Sequence, residues 1–528
     1  MLGGMQDWDL RVSTLIDHAA REHGPREIVT RWADGQETRT DWATIRCDSV
    51  RMAQALLRIG IKPQDRIATL AMNHAPHLVS WYGATGAGGI LHTLNPRLFD
   101  DQLDYIVNHA EDRVLLYDAA FRPLVERLKP RWPTIEHYIC FDDGEFAQWI
   151  GHEDADAPWT GGDERDPCML CYTSGTTGNP KGVLYEHRST VIHALSLLQP
   201  AVFGLEPRSV VLSVVPMFHA ASWGLPWAGA AAGSKFVYSA VNDPDVLVGL
   251  MRREKVTHST GVPTVWLGIF QHVDSKGEDL PKISQAVIGG SAAPAAMIER
   301  LMKNGTRVAH AWGMTETSPI GTVGVEPPGW EDMAFDQQLA IKRLQGRPPY
   351  GVELRVVDLE DGTTVLPRDG VSSGALQVRG PWVVKRYFKA EQDAVGPGQW
   401  FDTGDVAILH PDGTLQLTDR TKDVIKSGGE WISSVDLENA AVGHPAVAEA
   451  AAIGIAHPKW DERPVLVVVK KSGMDVSARD ILAFLEGKVA KWWLPDAVEF
   501  VNELPHTGTG KISKKDLREQ FSDYRLES

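Results

Sequence analysis

Twice along this chain, stretches of helical periodicity alternate with short, unbroken apolar runs, and few folds accommodate that rhythm. In TRTDWATIRCDSVRMAQALLRIGI (38–61) the apolar residues Ile45, Val50, Ala53, Leu56 and Leu57 fall on one helical stripe. DRIATLAM (65–72) reads as a buried strand, HLVSWYGATGAGGI (77–90) as a helix and RVLLYD (113–118) as a strand. The pattern returns with SVVLSVV (209–215), a helix near 222–232, KFVYS (235–239), a helix over 244–254, THSTG (257–261), another helix and QAVIGG (285–290). A continuous apolar strand must be covered on both faces, which crossover helices do for a parallel sheet. The expectation is an α/β protein whose large N-terminal part contains two α/β layers of similar size.

Between about residues 345 and 420 the texture changes. VELRVVDLEDGTTVLPRDGVSSGALQVRG (352–380) is cut by D-G, P-R-D-G and S-S-G turns, as a meander or small β-barrel would be. After DRTKD (419–423) come the strands AVAEAAAIGI and RPVLVVVKK, a helical stripe of Ile481, Leu485, Val489 and Trp492, and a last strand–loop–helix. These predict an N-terminal domain over 1–421 and a small α+β domain over 422–528.

A net charge of −16 without a long basic run argues against a nucleic-acid partner. Only four cysteines in 528 residues suggest a reducing compartment. Cys168 and Cys171 form a C-x-x-C, but with no second pair they read as core residues of a strand. The N-terminal MLGGMQDWDLRVSTL lacks the pattern of a signal peptide, and RLES is no lipidation or peroxisomal address. The most apolar window, 220–233, is too short to span a bilayer. A cytoplasmic protein with no membrane contact is expected.

YTSGTTGNPKG (172–182) places glycines and hydroxyls before one lysine. Such a loop can turn successive N–H groups toward a polyanion, or be a plain hairpin turn. It does not match G-x-x-x-x-G-K-[ST], and KGVLYEH after it reads as a strand rather than a helix.

YTSGTTGNPKG closely resembles the signature loop of the adenylate-forming superfamily: acyl-CoA synthetases, luciferases and peptide-synthetase adenylation domains. Its further motifs follow in the family's order: PMFH (216–219), GGSAA (289–293), AWGMTETSP (311–319), GRP (346–348), WFDTGD (400–405), DRTKDVIKSGGEWIS (419–433) and LPHTGTGK (504–511). The likeness runs from about residue 30 to the end and is greatest to short- and medium-chain acyl-CoA ligases, in particular 3-methylmercaptopropionate-CoA ligases of dimethylsulfoniopropionate breakdown.

The resemblance implies that a small carboxylic acid attacks ATP to give acyl-AMP and pyrophosphate, and that coenzyme A then displaces AMP. Thr173, Ser174, Gly175, Thr176, Thr177, Gly178 and Lys181 would hold the β- and γ-phosphates. Gly290, Ser291, Ala292, Trp312, Gly313, Met314 and Thr315 would complete the ATP site, with Trp312 stacked on adenine. Asp405 would accept hydrogen bonds from both ribose hydroxyls, and Arg420 would reach the same sugar. Glu316, with Thr176, would hold Mg²⁺, a task for oxygen ligands. Lys511 would stabilise the charge developing on the α-phosphate, making Lys511, Glu316 and Lys181 the catalytic set.

The same resemblance makes Lys422 the hinge about which the C-terminal domain turns between the two half-reactions. Lys426, Ser427, Gly428, Gly429, Glu430 and Trp431 would then serve the CoA step. His219, Trp223, Gly289, Gly290 and Trp312 would line the acyl pocket. For His219 three roles stay open: lining the tunnel, closing as pyrophosphate leaves, or a satisfied core histidine. A homodimer is the expected assembly. The rival readings are an adenylating protein that serves a carrier-protein thiol, and a non-catalytic nucleotide-binding protein on the same fold.

Overall fold

Both α/β layers form in the computed structural model, which describes residues 3–173, 179–427, 430–506 and 512–526. The first is a six-stranded sheet in the order His137–Cys140, Asp112–Tyr117, Arg66–Leu70, Ile90–Thr93, Pro167–Tyr172 and Gly182–Glu186, with only the last pair antiparallel. The second has eight strands: Ile320–Val323, Arg307–Gly313, Gln285–Ile288, His258–Gly261, Val210–Ser213, Lys235–Ser239, Glu27–Arg31 and Glu37–Asp41. Its two edge pairs are antiparallel and its interior is parallel. Glu27–Arg31 pairs with Lys235–Ser239, a union of distant segments to which hydrophobic periodicity is blind.

The helices Val12–His23, Trp42–Arg58, Ala75–Gly86, His187–Leu197 and Leu225–Ala232 pack on one another in one apolar cluster. That cluster includes Ile67, Leu91 and Leu116 of the first sheet and Ile28, Val211 and Phe236 of the second. A helix enclosed on every side has no polar face: each residue of Ala75–Gly86 except Pro76 is buried, and its polar His77, Ser80 and Thr85 are hydrogen-bonded internally. On Trp42–Arg58, capped by Asp41 accepting from the Thr44 N–H (2.8 Å), Ile45, Val50, Ala53 and Leu56 are buried. Leu57 is 38% exposed, because the next residue round the helix turns off the packed stripe.

The helix expected from about 222 begins only at Leu225, where Pro226 occupies the first turn and its missing N–H leaves no bond unmade. The residues before it, Ala220 to Gly224, all have φ between 43° and 75° and wind as a left-handed turn.

Of meander and barrel, the strands Glu353–Val357, Ser373–Arg379, Phe401–Leu409 and Leu415–Arg420 form a four-stranded antiparallel meander. The last sheet runs Glu430–Ile432, Ile425–Ser427, Asp461–Lys470, Val447–His457, with Ala497–Val501 parallel to Asp461–Lys470. Ile481 and Leu485 pack in one of its apolar clusters, and Leu517 of the helix Lys514–Gln520 in another. The stripe read through Trp492 stops at Leu485: Gly487 follows with φ 76°, and Trp492 lies in a separate turn, 44% exposed.

Among the described residues no helix is long and apolar enough to cross a membrane. All four cysteines are free. Burial pushes the Cys168 thiol up to about 12 and Cys171 to about 11, so both are inert core groups.

Candidate active site

The motif loops gather where parallel strands end. Residues 173–181 follow Pro167–Tyr172, 214–224 follow Val210–Ser213, 289–293 follow Gln285–Ile288, and 314–318 follow Arg307–Gly313. Ligands in open α/β sheets bind at these carboxyl ends.

The loop after Tyr172 is closed at its root by two bonds: Thr173 N–H to the Lys181 carbonyl (2.9 Å) and Lys181 N–H to Thr173 Oγ1 (3.3 Å). The antiparallel register Tyr172↔Gly182 continues the closure, in agreement with the strand reading of KGVLYEH. Lys181 is exposed, and its Nζ lies 4.9 Å from the centroid of the Tyr387 ring. Ser174, Gly175, Thr176, Thr177 and Gly178, together with Gly428, Gly429 and Lys511, lie outside the described residues.

Tyr387 also meets Glu316. Its hydroxyl donates to Glu316 Oε1 at 2.7 Å, and the Glu316 residue is only 7% exposed. Burial raises the Glu316 carboxyl above its ordinary range, while the Tyr387 hydrogen bond opposes that rise by favouring the charged form. Among the described residues no cation lies within ion-pair distance of Glu316, and no group of three or more His, Cys, Asp or Glu could hold a metal. A buried carboxylate suits Mg²⁺, which takes few protein ligands and can complete its shell with phosphate oxygens and water. Glu316 has the chemistry to hold such an ion.

The Glu316 loop is shaped by close backbone approach. Met314 N–H donates to the Pro319 carbonyl (3.1 Å), and a Cβ on Gly313 would lie 1.8 Å from that oxygen, so only glycine fits there. Tyr185 donates to the Thr315 carbonyl at 2.7 Å. Ser291 sits beside His310, whose Nδ1 is 2.9 Å from the Arg343 carbonyl and whose ring also bonds the Ser291 backbone.

Asp405, 4% exposed, is met by two other predicted residues. Trp312 Nε1 donates to its Oδ2 (2.9 Å), and Arg420 Nε lies 2.9 Å from its Oδ1. The strand register Asp405↔Arg420 sets the second contact. Each carboxylate oxygen keeps a further acceptor position, so the pair of contacts orients Asp405 and leaves it able to receive hydroxyls.

Trp223 and Gly289 are also brought together. A Cβ on Gly289 would fall 3.2 Å from Cη2 of Trp223 and 3.0 Å from the Ala311 carbonyl oxygen, so the indole lies against a bare backbone. Trp223 reaches it from the left-handed turn, a conformation that costs L-residues roughly 1–2 kcal/mol each and persists only where its surroundings hold it. Gly290 has φ 84° and faces Val262. His219 opens the turn, its carbonyl accepting from Ser222 N–H at 2.9 Å.

Of the residues assigned to the second half-reaction, Lys426 is exposed on Ile425–Ser427, with Nζ 5.5 Å from the Trp431 ring across the Lys426↔Trp431 pairing. Ser427 Oγ accepts from Arg463 (3.2 Å). Lys422 is exposed between Arg420 and Asp423, and Asp423 is paired with Arg518 (2.7 Å).

Tyr387 and Tyr185 are site-shaping residues that sequence reasoning missed. Tyr387 stands 71 positions from Glu316 in a stretch read only as part of a meander or small β-barrel, and no spacing rule connects them.

Comparison with known proteins agrees with this geometry. The model of the AMP-binding enzyme family matches residues 16–388, and that of the AMP-binding enzyme C-terminal domain matches 436–511. A 3-methylmercaptopropionyl-CoA ligase of Ruegeria lacuscaerulensis is 47% identical over 537 aligned residues, covering 99% of each chain. A medium-chain-fatty-acid–CoA ligase of Ectopseudomonas oleovorans is 42% identical, covering 100% of this chain and 99% of that one. Among solved structures, the anthranilate CoA ligase AuaEII in complex with anthranoyl-AMP superposes with a TM-score of 0.87 at 24% identity, covering 98% of each chain. With the family model spanning well over half its length and a relative 47% identical along almost the whole of both chains, this chain belongs to the AMP-binding, or adenylate-forming, enzyme family.

Proposed function

We propose that this chain is an ATP-dependent acyl-CoA ligase whose acid is 3-methylmercaptopropionate. The contact of Trp223 with Gly289 carries the choice of acid: an indole on that backbone would shorten an acyl pocket and give it an aromatic wall. A thioether suits such a wall, since sulfur–aromatic contacts contribute roughly 0.3–1.5 kcal/mol. The name of the 47%-identical Ruegeria relative supports the same acid. A medium-chain fatty acid is the second reading, favoured by the 42%-identical relative; a methylene in such a pocket is worth only about 1–3 kcal/mol.

In this reading the 173–178 loop and Lys181 gather the phosphates of ATP, and Trp312, Asp405 and Arg420 hold its nucleoside. Mg²⁺ on Glu316 neutralises phosphate charge. Lys511 steadies the α-phosphate as the acid attacks. A boundary near 421 with Lys422 as hinge lets the C-terminal domain turn, bringing Lys426 to Trp431 to the pantetheine arm for the thioester step. A cytoplasmic location, supported by four free cysteines, and a homodimer complete the proposal.

The test is CoA-dependent AMP formation with acetate, butyrate, hexanoate, octanoate, benzoate and 3-methylmercaptopropionate, for wild type and Lys511→Ala. The thioether acid should lead, and Lys511→Ala should abolish adenylation. A lead for butyrate or hexanoate removes the proposed acid; AMP from no acid removes the ligase reading.

A further inference from the structure

Asn73 is 3% exposed, and its whole carboxamide is turned on one stretch of backbone far away in sequence. Nδ2 donates to the carbonyls of Ser213 and Val215, both at 2.9 Å, and Oδ1 accepts from the Met217 N–H at 2.7 Å. Ser213 ends the strand Val210–Ser213, where it pairs with Thr260, while Val215 and Met217 lie on the irregular segment that follows it. With two donors and one acceptor, this one side chain ties the strand end to that segment.

The segment it holds leads directly into Phe218, His219 and the left-handed turn Ala220–Gly224. The far side of that turn returns to the same place. Ser222 Oγ donates to the Val215 carbonyl (3.1 Å) and lies 3.3 Å from Ser213 Oγ. Val215 O thus receives Asn73 from one side and Ser222 from the other. Trp223, the next residue, is the one whose ring rests against Gly289.

Asn73 is itself fixed from below. Asp118 accepts from the Met72 N–H (2.8 Å) and bonds His74 Nε2 (2.8 Å). Thr30 Oγ1 accepts from the Ala75 N–H (3.0 Å), and His74 Nδ1 accepts from the His77 N–H (3.0 Å). The corner therefore joins the first sheet, through Asp118, to the second, through Thr30.

We infer that Asn73 is a positioning residue for acyl selection: through the 213–217 backbone it sets where Trp223 sits on Gly289, and hence which acids fit. This rests on the reading of Trp223 and Gly289 as the acyl-pocket wall. A side chain that only stabilised the fold would change the amount of active protein but not the preference between acids.

The experiment uses the full chain and measures kcat/KM for 3-methylmercaptopropionate and for octanoate, with KM for ATP alongside, in Asn73→Ala, Asn73→Asp, Ser222→Ala and Trp223→Ala. Asn73→Ala should lower kcat/KM for the better acid by about tenfold to a hundredfold, the scale of a misplaced wall. It should change the ratio between the acids by at least about fivefold and KM for ATP by less than about twofold. Asn73→Asp keeps the acceptor for Met217 but faces two carbonyls with a negative charge. Its acid preference should move toward wild type as the pH falls and the carboxyl gains a proton to donate. An unchanged acid ratio in folded Asn73→Ala overturns the inference. If Asn73→Ala does not fold, Ser222→Ala, which loosens the same carbonyl, decides: a shifted ratio supports the inference and an unshifted one overturns it. Trp223→Ala separates the two levels, since an unaltered ratio there removes the pocket reading itself.

Discussion

Tyr387→Phe is the perturbation whose consequence the structure defines most closely. The hydroxyl donates to Glu316 Oε1 at 2.7 Å, in a place where that carboxylate is 7% exposed. A hydrogen bond to a charged group contributes about 1.5–3 kcal/mol, and about 1.4 kcal/mol corresponds to one pKa unit. Burial already raises the Glu316 carboxyl, and the Tyr387 bond is the largest influence opposing it. Removing the bond destabilises the ionised form, so the proton is held to higher pH. Because Mg²⁺ needs the ionised carboxylate, the acid limb of the adenylation profile should move upward by about one to two pH units. The assay is acid-dependent pyrophosphate release without CoA, at saturating Mg²⁺, from about pH 5.5 to 8.5. Activity should fall most at the acid end and recover toward the alkaline end. The phenylalanine ring still offers Lys181 its face, now 4.9 Å from the centroid, so loss of that contact is not the cause. An acid limb that stays in place, or an equal loss at every pH, refutes this account of Glu316.

Three further outcomes are expected. Gly289→Ala puts a methyl 3.2 Å from Trp223 and 3.0 Å from the Ala311 carbonyl, which should cost about 1–3 kcal/mol in denaturant unfolding and shift acid preference toward shorter chains. Asp405→Asn weakens the hold on both Trp312 and Arg420; KM for ATP should rise with little change in KM for the acid, as steady-state kinetics will show. Burial lowers His77, His187 and His193 to about 3 and His310 to about 4 from 6.5, so these four fold neutral and take up protons on unfolding in acid. Their contribution is fully present above 6.5 and is lost as the pH falls toward 3, or toward 4 for His310, each adding up to about 1.4 kcal/mol per pH unit to the slope measured by urea unfolding across that range.

The local chemistry of this protein was legible in one dimension. Apolar runs between helical stripes specify a layered α/β chain because a strand buried on both faces has no polar positions to alternate. The strand Gly182–Glu186, the helix Lys514–Gln520 and the buried C-x-x-C follow the same local rules. The glycines of AWGMTE and GGSAA read only as motif residues, and the structure adds the reason for them: the near-contact of Gly313 with the Pro319 carbonyl and of Gly289 with Trp223.

What lay beyond reach depended on contacts between distant segments. The left-handed turn 220–224 precedes the helix at Leu225 where the sequence reads as a helix near 222–232, because it is held by contacts from distant segments, Ser222 on the Val215 carbonyl and Trp223 on Gly289. Tyr387 acquires a role only where a turn of the meander lays it on Glu316. The resemblance assigns Trp312, Asp405 and Arg420 to one nucleoside, but their contacts with one another need the eight-stranded sheet and the meander to meet at one edge. Periodicity and propensity act over a few residues, and motifs identify chemical groups one loop at a time. Burial, pKa shifts and hydrogen bonds between loops arise only when the sheets stack, so sequence alone determined the layered architecture and the kinds of groups present, while the tertiary structure decided which of them face one another.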